Sequence, residues 1–291
     1  MAGILKSKVT KVVILLLVLV GAFYLNRNYE VIAINPFSGE GKYDLKVMTW
    51  NVHCSEGTDY DRQRKIAELV LKEDADFVQL NEYNQDSCLV IDSLLKAKYP
   101  FTEEHRSHTL SGDIFYSKRV MSNSSHEHPL AGIIGLQIIK ATTSIGCDSV
   151  QIFGVHLASN HYNDSIVERG GRLMGNKKQV YEWYKKSQTS RCFQAFLTKK
   201  EVIKSMHPVI VMGDMNDFSC SAPLDTFSTC GLKNAWWKGG NGYGCTFHDG
   251  WMRLRIDHIL YSEKLKLCGI KVIETDLSDH NPMVAEFSVN N

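Results

Sequence analysis

The sequence predicts a mixed α/β fold in which two mixed β-sheets pack together with helices outside. Strand and helix signals alternate along most of the chain, and in its middle several apolar strand signals follow one another with no helix between them. Consecutive strands joined by short turns pair antiparallel, so a purely parallel, doubly wound sheet does not fit, whereas two mixed sheets with external helices do. Size agrees, because 291 residues with 44% hydrophobic content suffice for one large globular domain or two small ones.

The first thirty residues differ from the rest. Lys6, Lys8 and Lys11 precede an uncharged apolar run from Val12 to Leu25. Its 14 residues make about 21 Å of helix, short of a bilayer core of about 30 Å, which favours a signal-peptide core. Against cleavage, Val20-Gly21-Ala22 is the one small-residue site and no polar stretch precedes it. The expectation is an uncleaved signal anchor over residues 1–30, with a cleaved signal peptide as the alternative. Either way the lysines stay cytoplasmic and the remainder is exported, anchored to the membrane or released as a secreted or periplasmic protein. Residues 31–42, with Pro36, Ser38 and several glycines, read as a linker, and 43–291 as the folded domain.

The elements of that domain follow in order. Residues 44–52 (DLKVMTWNV) are rich in strand formers, and DRQRKIAELVLKE places Ile66, Leu69 and Val70 at helical spacing. Residues 76–83 form a short apolar strand and 86–98 a helix. GDIFYSK, AGIIGLQIIK and VQIFGVHL read as strands with short connections, and 173–206 as largely helical. PVIVMGDMN, RIDHILYS, CGIKVIE and MVAEFSV supply the late strands.

Charge is uninformative overall and uneven locally. The chain carries a net +1, and without residues 1–30 it has 29 Lys+Arg against 31 Asp+Glu. A near-neutral domain lacks the footprint of a dedicated nucleic-acid binder. Between Arg169 and Lys204 there are ten basic residues and two Glu, either a solvated helix face or a patch for phosphate or anionic lipid. None of the eight cysteines forms a C-x-x-C pair, which argues against zinc. An even count permits disulfides in an exported domain, and buried free thiols fit equally.

Polar residues recur where apolar strands end. Asn51 follows VMTW, Glu82 follows FVQLN, His156 follows IFGV, and Asp214 and Asn216 follow VIVMG. Asp257 sits in RIDHIL, and Asp279 and His280 in LSDHNPM. Side chains two apart on a strand share a face, so Asp214 and Asn216 are expected to point the same way. Taken singly, each is an ordinary surface, turn or capping residue; Asp217 reads as a cap or turn residue, and Ser219 or Ser221 as a helix cap. Together they are the inventory of a hard-metal hydrolase, with oxygen ligands for a divalent cation and histidines near neutral pKa for proton transfer.

TWNVH, QLNEY, GVHL, GDMND, RIDHIL and SDHNP stand in an order that resembles the endonuclease/exonuclease/phosphatase superfamily, the deoxyribonuclease-like phosphoesterases, across residues 49–282. The resemblance implies a four-layer α/β/β/α sandwich after the N-terminal hydrophobic helix. It implies Mg2+- or Mn2+-dependent hydrolysis of a phosphate ester, with a monomer expected. Residue by residue it implies metal on Glu82, flanked by Asn51 and Asp279, and His280 at the scissile phosphate, oriented by Asp257. It implies Asp214 at the attacking water, Asn216 on phosphate, and His156 at the transition state or leaving group. A phosphodiester substrate is expected, nucleic acid first. The alternatives are a phospholipid or sphingomyelin diester, a phosphomonoester, and a non-catalytic binding protein, whose usual mark is loss of the glutamate or last histidine; both are intact.

Two departures bear on substrate. Abasic-site endonucleases of this superfamily carry an acidic or amide residue where His53 stands, and inositol polyphosphate 5-phosphatases carry a Pro-Ala-Trp run absent from RIDHIL. His53 is expected either beside the site, contacting substrate, or as packing. Arg169 and Arg172 are candidate phosphate contacts in the segment after His156, and Trp236 and Trp237 are candidates to stack on bases or enter a membrane interface. The alternative is that the tryptophans bury against the sandwich edge.

Overall fold

A computed structural model describes residues 8–35, 42–54, 59–105, 112–126, 137–160, 167–168, 172–173 and 177–289. The chain opens with α1 (Lys8–Tyr29) and continues through β1 (Ala33–Ile34), β2 (Leu45–Asn51), α2 (Tyr60–Glu73), β3 (Phe77–Tyr83) and α3 (Leu89–Lys96). Next come β4 (Phe101–His105), β5 (Gly112–Ser117), β6 (Ser122–His126), β7 (Gln137–Ile145), β8 (Asp148–His156), β9 (Val167–Glu168) and β10 (Arg172–Leu173). The last part holds α4 (Lys177–Val202), β11 (Val209–Asp214), α5 (Ala222–Ser228), β12 (Leu232–Asn234), α6 (Ala235–Gly239) and β13 (Asn241–Gly242). It closes with β14 (Phe247–Asp249), β15 (Met252–Leu254), β16 (Asp257–Ser262), β17 (Leu265–Val272) and β18 (Met283–Val289).

Two six-stranded sheets carry the fold, ordered β12-β16-β11-β8-β7-β6 and β17-β18-β2-β3-β5-β4. Each holds one parallel pair near its middle, β8–β11 and β2–β3, and is otherwise antiparallel. A parallel pair needs a crossover, and α4 and α2 supply them. Packing follows the pleat. On β11, Ile210 and Met212 enter the inter-sheet core with Leu45, Val47, Phe77, Ile152 and Ile259. Val209 and Val211 face the other way, onto Ala195 and Leu197 of α4 and Leu224 and Phe227 of α5. Met48, Trp50, Val78 and Leu80 face Ile66 and Val70 of α2 and Ile91 and Leu95 of α3. The layers are therefore α/β/β/α, as the sequence leads one to expect.

The boundaries differ in three places. α3 begins at Leu89 rather than 86, because Asn84 folds the preceding residues into a turn, taking the Cys88 N–H on its backbone carbonyl and the Asp86 N–H on its side chain. The apolar N-terminal segment is longer than its uncharged run: within α1, Thr10–Tyr29 is an unburied span of 20 residues, about 30 Å, long and apolar enough to cross a membrane. The expected linker is partly built into the domain. Ala33 is fully buried in the inter-sheet core, β1 pairs with β13, and Asn35 Nδ2 donates to the carbonyls of Trp237 (3.1 Å) and Gly240 (2.9 Å). Arg255, only 4% exposed, donates to the carbonyls of Glu30, Val31 and Tyr243, fixing the exit of α1.

Candidate active site

Strand parity assembles the site. Asn51 continues the inward row of Leu45 and Val47, and Asp214 that of Ile210 and Met212. His156 continues the row of Val150 and Ile152, while Asp257 precedes Ile259 and Tyr261 on theirs. Register then aligns these ends: Asp214 is opposite His156 on one side and Asp257 on the other, and Asn51 is opposite Asn81. The C-terminal ends of both parallel pairs thus open on one edge between the sheets. Gly213 lets the sheet close there; its φ is +137°, and a Cβ would stand 1.9 Å from the Val155 carbonyl oxygen.

Glu82 breaks this parity. On a regular strand it would face the helices with Val78 and Leu80. The β3–β5 register instead shifts between Asn81 and Tyr83, and Glu82 has a φ of +51°. A bulge in left-handed backbone re-aims the side chain, so that Glu82 Oε1 meets Asn51 Nδ2 at 3.0 Å. His53 (φ +44°) and Asn216 (φ +52°) are also left-handed. Such conformations cost about 1–3 kcal/mol each and cluster at functional sites.

Asp214 is the hub. Its Oδ2 accepts from Asn51 Nδ2 at 3.0 Å and lies 3.7 Å from His280 Nε2 and 3.8 Å from His156 Nε2. His280 Nδ1 meets Asp257 Oδ2 at 2.8 Å, and His156 Nδ1 lies 3.6 Å from Asp113 Oδ1. Burial opposes charge on His280, but Asp257 and Asp214 outweigh it and carry its pKa up to about 10. Burial likewise opposes charge on His156, and Asp113 and Asp214 carry it up to about 9. Burial raises Asp257, with His280 pulling the other way. At neutral pH both imidazoles are therefore cations facing one buried carboxylate.

The expected metal residues lie beside this hub. His53 Nδ1 stands 3.7 Å from Glu82 Oε2 and 3.4 Å from Asp279 Oδ1, with the carboxylates 24% and 33% exposed. Hydrogen bonding to Asp279 raises His53; burial opposes charge on Asp279, and His53 and His280 still hold it low. Among the described residues, none of Glu82, Asp113, Asp214, Asp257 and Asp279 pairs with Lys or Arg. A cluster of carboxylates answered only by histidines, with two partly open to solvent, is a donor set that suits a hard divalent cation, which takes one or two carboxylates and completes its shell with water. Among the described residues two groups come within 4.8 Å by their ligand atoms, Glu82–His156–Asp214 and Asp214–Asp257–His280.

Asn51 is a brace in the described structure: its Nδ2 donates to Glu82 and Asp214, and its Oδ1 accepts from the His53 N–H at 3.1 Å. Two expectations change. Asn216 does not share a strand face with Asp214, because the strand ends there. A turn brings it back, its N–H on Asp214 Oδ1 (2.9 Å) and its Nδ2 on the Leu157 carbonyl (3.0 Å). Trp236 is a core side chain, 5% exposed, with its indole N–H on the Gly242 carbonyl, and Trp237 packs against the same core; only Trp251 of the three is open, at 75%. Arg169 lies outside the described residues. Arg172 falls in β10, paired with Glu168, and its side chain is outside the described set.

Other site residues carry no obvious sequence signal. Asp113 is the second residue of β5, and because β5 runs antiparallel to β3 its first residues reach the same edge where β3 ends. Asn81 links it to the hub, donating to Asp113 Oδ1 (2.7 Å) and accepting from the Asp214 N–H (3.2 Å). Trp50 holds the His280 carbonyl at 2.8 Å. Arg62 ties two loops, donating to the carbonyls of Val52, His53 and Leu277. The basic stretch proves mixed: Lys177, Lys178, Lys185 and Lys186 are exposed, but Arg191 is buried on Asp217. Asp217 is thus half of a buried ion pair rather than a cap, and α5 is capped at Ser221 without a side-chain hydrogen bond. All eight cysteines are free thiols.

The sequence model described as the Endonuclease/Exonuclease/phosphatase family matches residues 48–280. No curated protein matches the chain. Among solved structures, truncated Caenorhabditis elegans TDP2 is 19% identical with a TM-score of 0.62, covering 84% of this chain and 97% of that one. D. rerio TDP2 complexed with single strand DNA product is 16% identical with a TM-score of 0.63, covering 84% and 99%. The endonuclease/exonuclease/phosphatase from Bacteroides vulgatus is 16% identical with a TM-score of 0.64, covering 86% and 100%. At these identities the likeness is one of fold.

Proposed function

Because the chain belongs to the endonuclease/exonuclease/phosphatase family, whose members are metal-dependent phosphoesterases, we propose that it hydrolyses a phosphodiester, with nucleic acid the first substrate class. The observation that carries this reading is the convergence on Asp214 Oδ2 of Asn51, His156 and His280 beside the Glu82–Asp279 carboxylates.

Glu82 and Asp279 would hold the metal, with Asn51 bracing Glu82. A bound divalent cation, Mg2+ or Mn2+, supplies positive charge that polarises the ester phosphate. Asp214 orients the attacking water and takes its proton at Oδ2. His280, held cationic by Asp257, donates to a non-bridging oxygen as negative charge builds there. His156, braced by Asp113, is placed to stabilise the same charge or protonate the leaving oxygen. Asn216 contributes a phosphate contact from the turn after β11.

The N-terminal helix supports an uncleaved anchor, with the domain outside the cytoplasm. The Arg255 clamp leaves little slack between that helix and the wall bearing Asp257, two residues away. This closeness favours a second reading, a phospholipid diester presented at the membrane. Full-length protein in detergent, assayed side by side on plasmid DNA, RNA, sphingomyelin and inositol phosphates with Mg2+ or Mn2+, tests both. Cleavage of nucleic acid supports the first reading and cleavage of lipid the second. Hydrolysis confined to monoesters contradicts both.

A further inference from the structure

We propose that His53 is itself a metal ligand, through Nδ1, and that it biases the site toward Mn2+ and later divalent ions over Mg2+ and Ca2+. The inference rests on the reading that Glu82 and Asp279 hold the metal, and it adds a nitrogen to their oxygens.

Geometry comes first. Nδ1 lies between the two carboxylates, 3.4 Å from Asp279 Oδ1 and 3.7 Å from Glu82 Oε2. Ligands bound to one ion at about 2.1 Å stand about 3 Å apart when adjacent and about 4.2 Å apart when opposed, so both separations fall in the range of a shared coordination shell. Only one ring nitrogen is turned to both oxygens.

The backbone shows that this placement is imposed. His53 occupies left-handed backbone, uncommon for a residue with a Cβ, and three contacts hold it there. Its N–H donates to Asn51 Oδ1 at 3.1 Å, its carbonyl accepts from Arg62 Nη2 at 2.8 Å, and the following N–H, of Cys54, donates to the Glu82 carbonyl at 3.0 Å. Glu82 opposite it is also left-handed. Two left-handed backbones, one two residues past the end of β2 and one on β3, thus turn an imidazole and a carboxylate to one point. Packing does not explain the ring, whose side chain is 58% exposed.

Ligand chemistry gives the consequence. Mg2+ and Ca2+ favour all-oxygen shells, whereas an imidazole suits later first-row ions, whose affinity for a mixed N/O site rises from Mn2+ onward. One nitrogen among carboxylates does not exclude Mg2+; it changes the order of preference.

The test reads the metal rather than turnover. Full-length protein in detergent is loaded with Mn2+, and pulsed electron paramagnetic resonance records 14N coupling to the ion; calorimetry then gives Mn2+ and Mg2+ affinities. Wild type should show a histidine nitrogen that disappears in both His53→Ala and His53→Asn. Mn2+ affinity should fall about 10–100-fold in either, with Mg2+ affinity changing much less. Glu82→Gln separates this inference from the reading beneath it. If Glu82→Gln abolishes Mn2+ binding while both His53 variants keep the nitrogen coupling and the wild-type Mn2+/Mg2+ ratio, the His53 inference is overturned and the metal position stands. If Glu82→Gln leaves Mn2+ binding unchanged, the metal position itself is wrong and the inference falls with it.

Discussion

His280 Nδ1 and Asp257 Oδ2 meet at 2.8 Å, both side chains almost fully buried, with His280 Nε2 on the far side of the ring 3.7 Å from Asp214 Oδ2. The buried carboxylate holds one proton on Nδ1, and because it and Asp214 keep the ring cationic, Nε2 keeps its proton as well and points it at the hub. Asp257→Asn keeps the shape and removes the charge. It should lower turnover about 10²–10⁴-fold with a small change in KM. Because Asp257 is the leading favourable charge on His280, the histidine pKa should also fall from about 10, which NMR titration of the ring would show. An unchanged titration would mean that Asp257 does not control the imidazole.

Glu82→Gln and His280→Ala should each lower turnover by several orders of magnitude. Glu82→Gln should weaken metal binding, whereas His280→Ala should spare it. Turnover near wild type in either variant would show that the site is misplaced.

Arg191 is 1% exposed and pairs with Asp217 through Nε at 2.9 Å, while its remaining nitrogens serve the Ala158 carbonyl, Asn160 and Gln188. Removing one partner of a buried pair strands the other charge and costs about 3–5 kcal/mol. Arg191→Met should therefore lower Tm on the order of 10 °C. A shift within a degree or two would place this pair among dispensable surface contacts.

Metal-free stability should fall as pH rises above about 6.5. Burial, then the Arg255 charge, push His258 down to about 3, and its ring meets the Asp217 carbonyl through Nε2 at 2.9 Å. Between about pH 6.5 and 3 the unfolded chain binds a proton there that the folded chain refuses, so stability falls as pH is lowered. His280 and His156 act in the opposite sense. Their raised values add stability that is complete below about pH 6.5 and is lost as pH rises through about 9 and 10. Below about pH 6 the raised carboxyl of Asp257 offsets the His258 loss, because the folded chain binds a proton there that the unfolded chain has released. Tm measured in EDTA should therefore fall from about pH 6.5 to 10 and change less between about pH 6 and 4; a Tm that rises from pH 6.5 to 10 would contradict the histidine assignment.

Arg255→Met should free residues 30–35 from the domain. Limited proteolysis in detergent should then cut between Glu30 and Asn35 in the variant and spare wild type. Equal cutting would show that the junction is held by β1 and Asn35 alone.

The sequence made the layers and most strand ends legible, because period-2 patterning and polar residues at apolar termini are local signals. Ile210, Met212 and Asp214 form one row that can be read directly from VIVMGD. The rest depended on backbone or pairing that no local pattern encodes. Glu82 reaches the site through a bulge, Asn216 through a turn, and Asp113 through an antiparallel register. Trp236 looks like a ligand platform beside its glycines, yet burial wins because the ring belongs to the inter-sheet core and lies against Gly240 and Gly244. Asp217 looks like a cap because its partner, Arg191, lies 26 residues away on the crossover helix.

The central claim is metal-dependent phosphodiester hydrolysis at the Asp214 hub. The most direct measurement is the rate at which full-length protein, stripped with EDTA, hydrolyses bis(p-nitrophenyl) phosphate before and after Mg2+ or Mn2+ is restored. The account predicts no hydrolysis in the stripped protein, recovery with either ion, and no recovery in Asp214→Asn. Hydrolysis that persists in EDTA, or that Asp214→Asn retains, would contradict it.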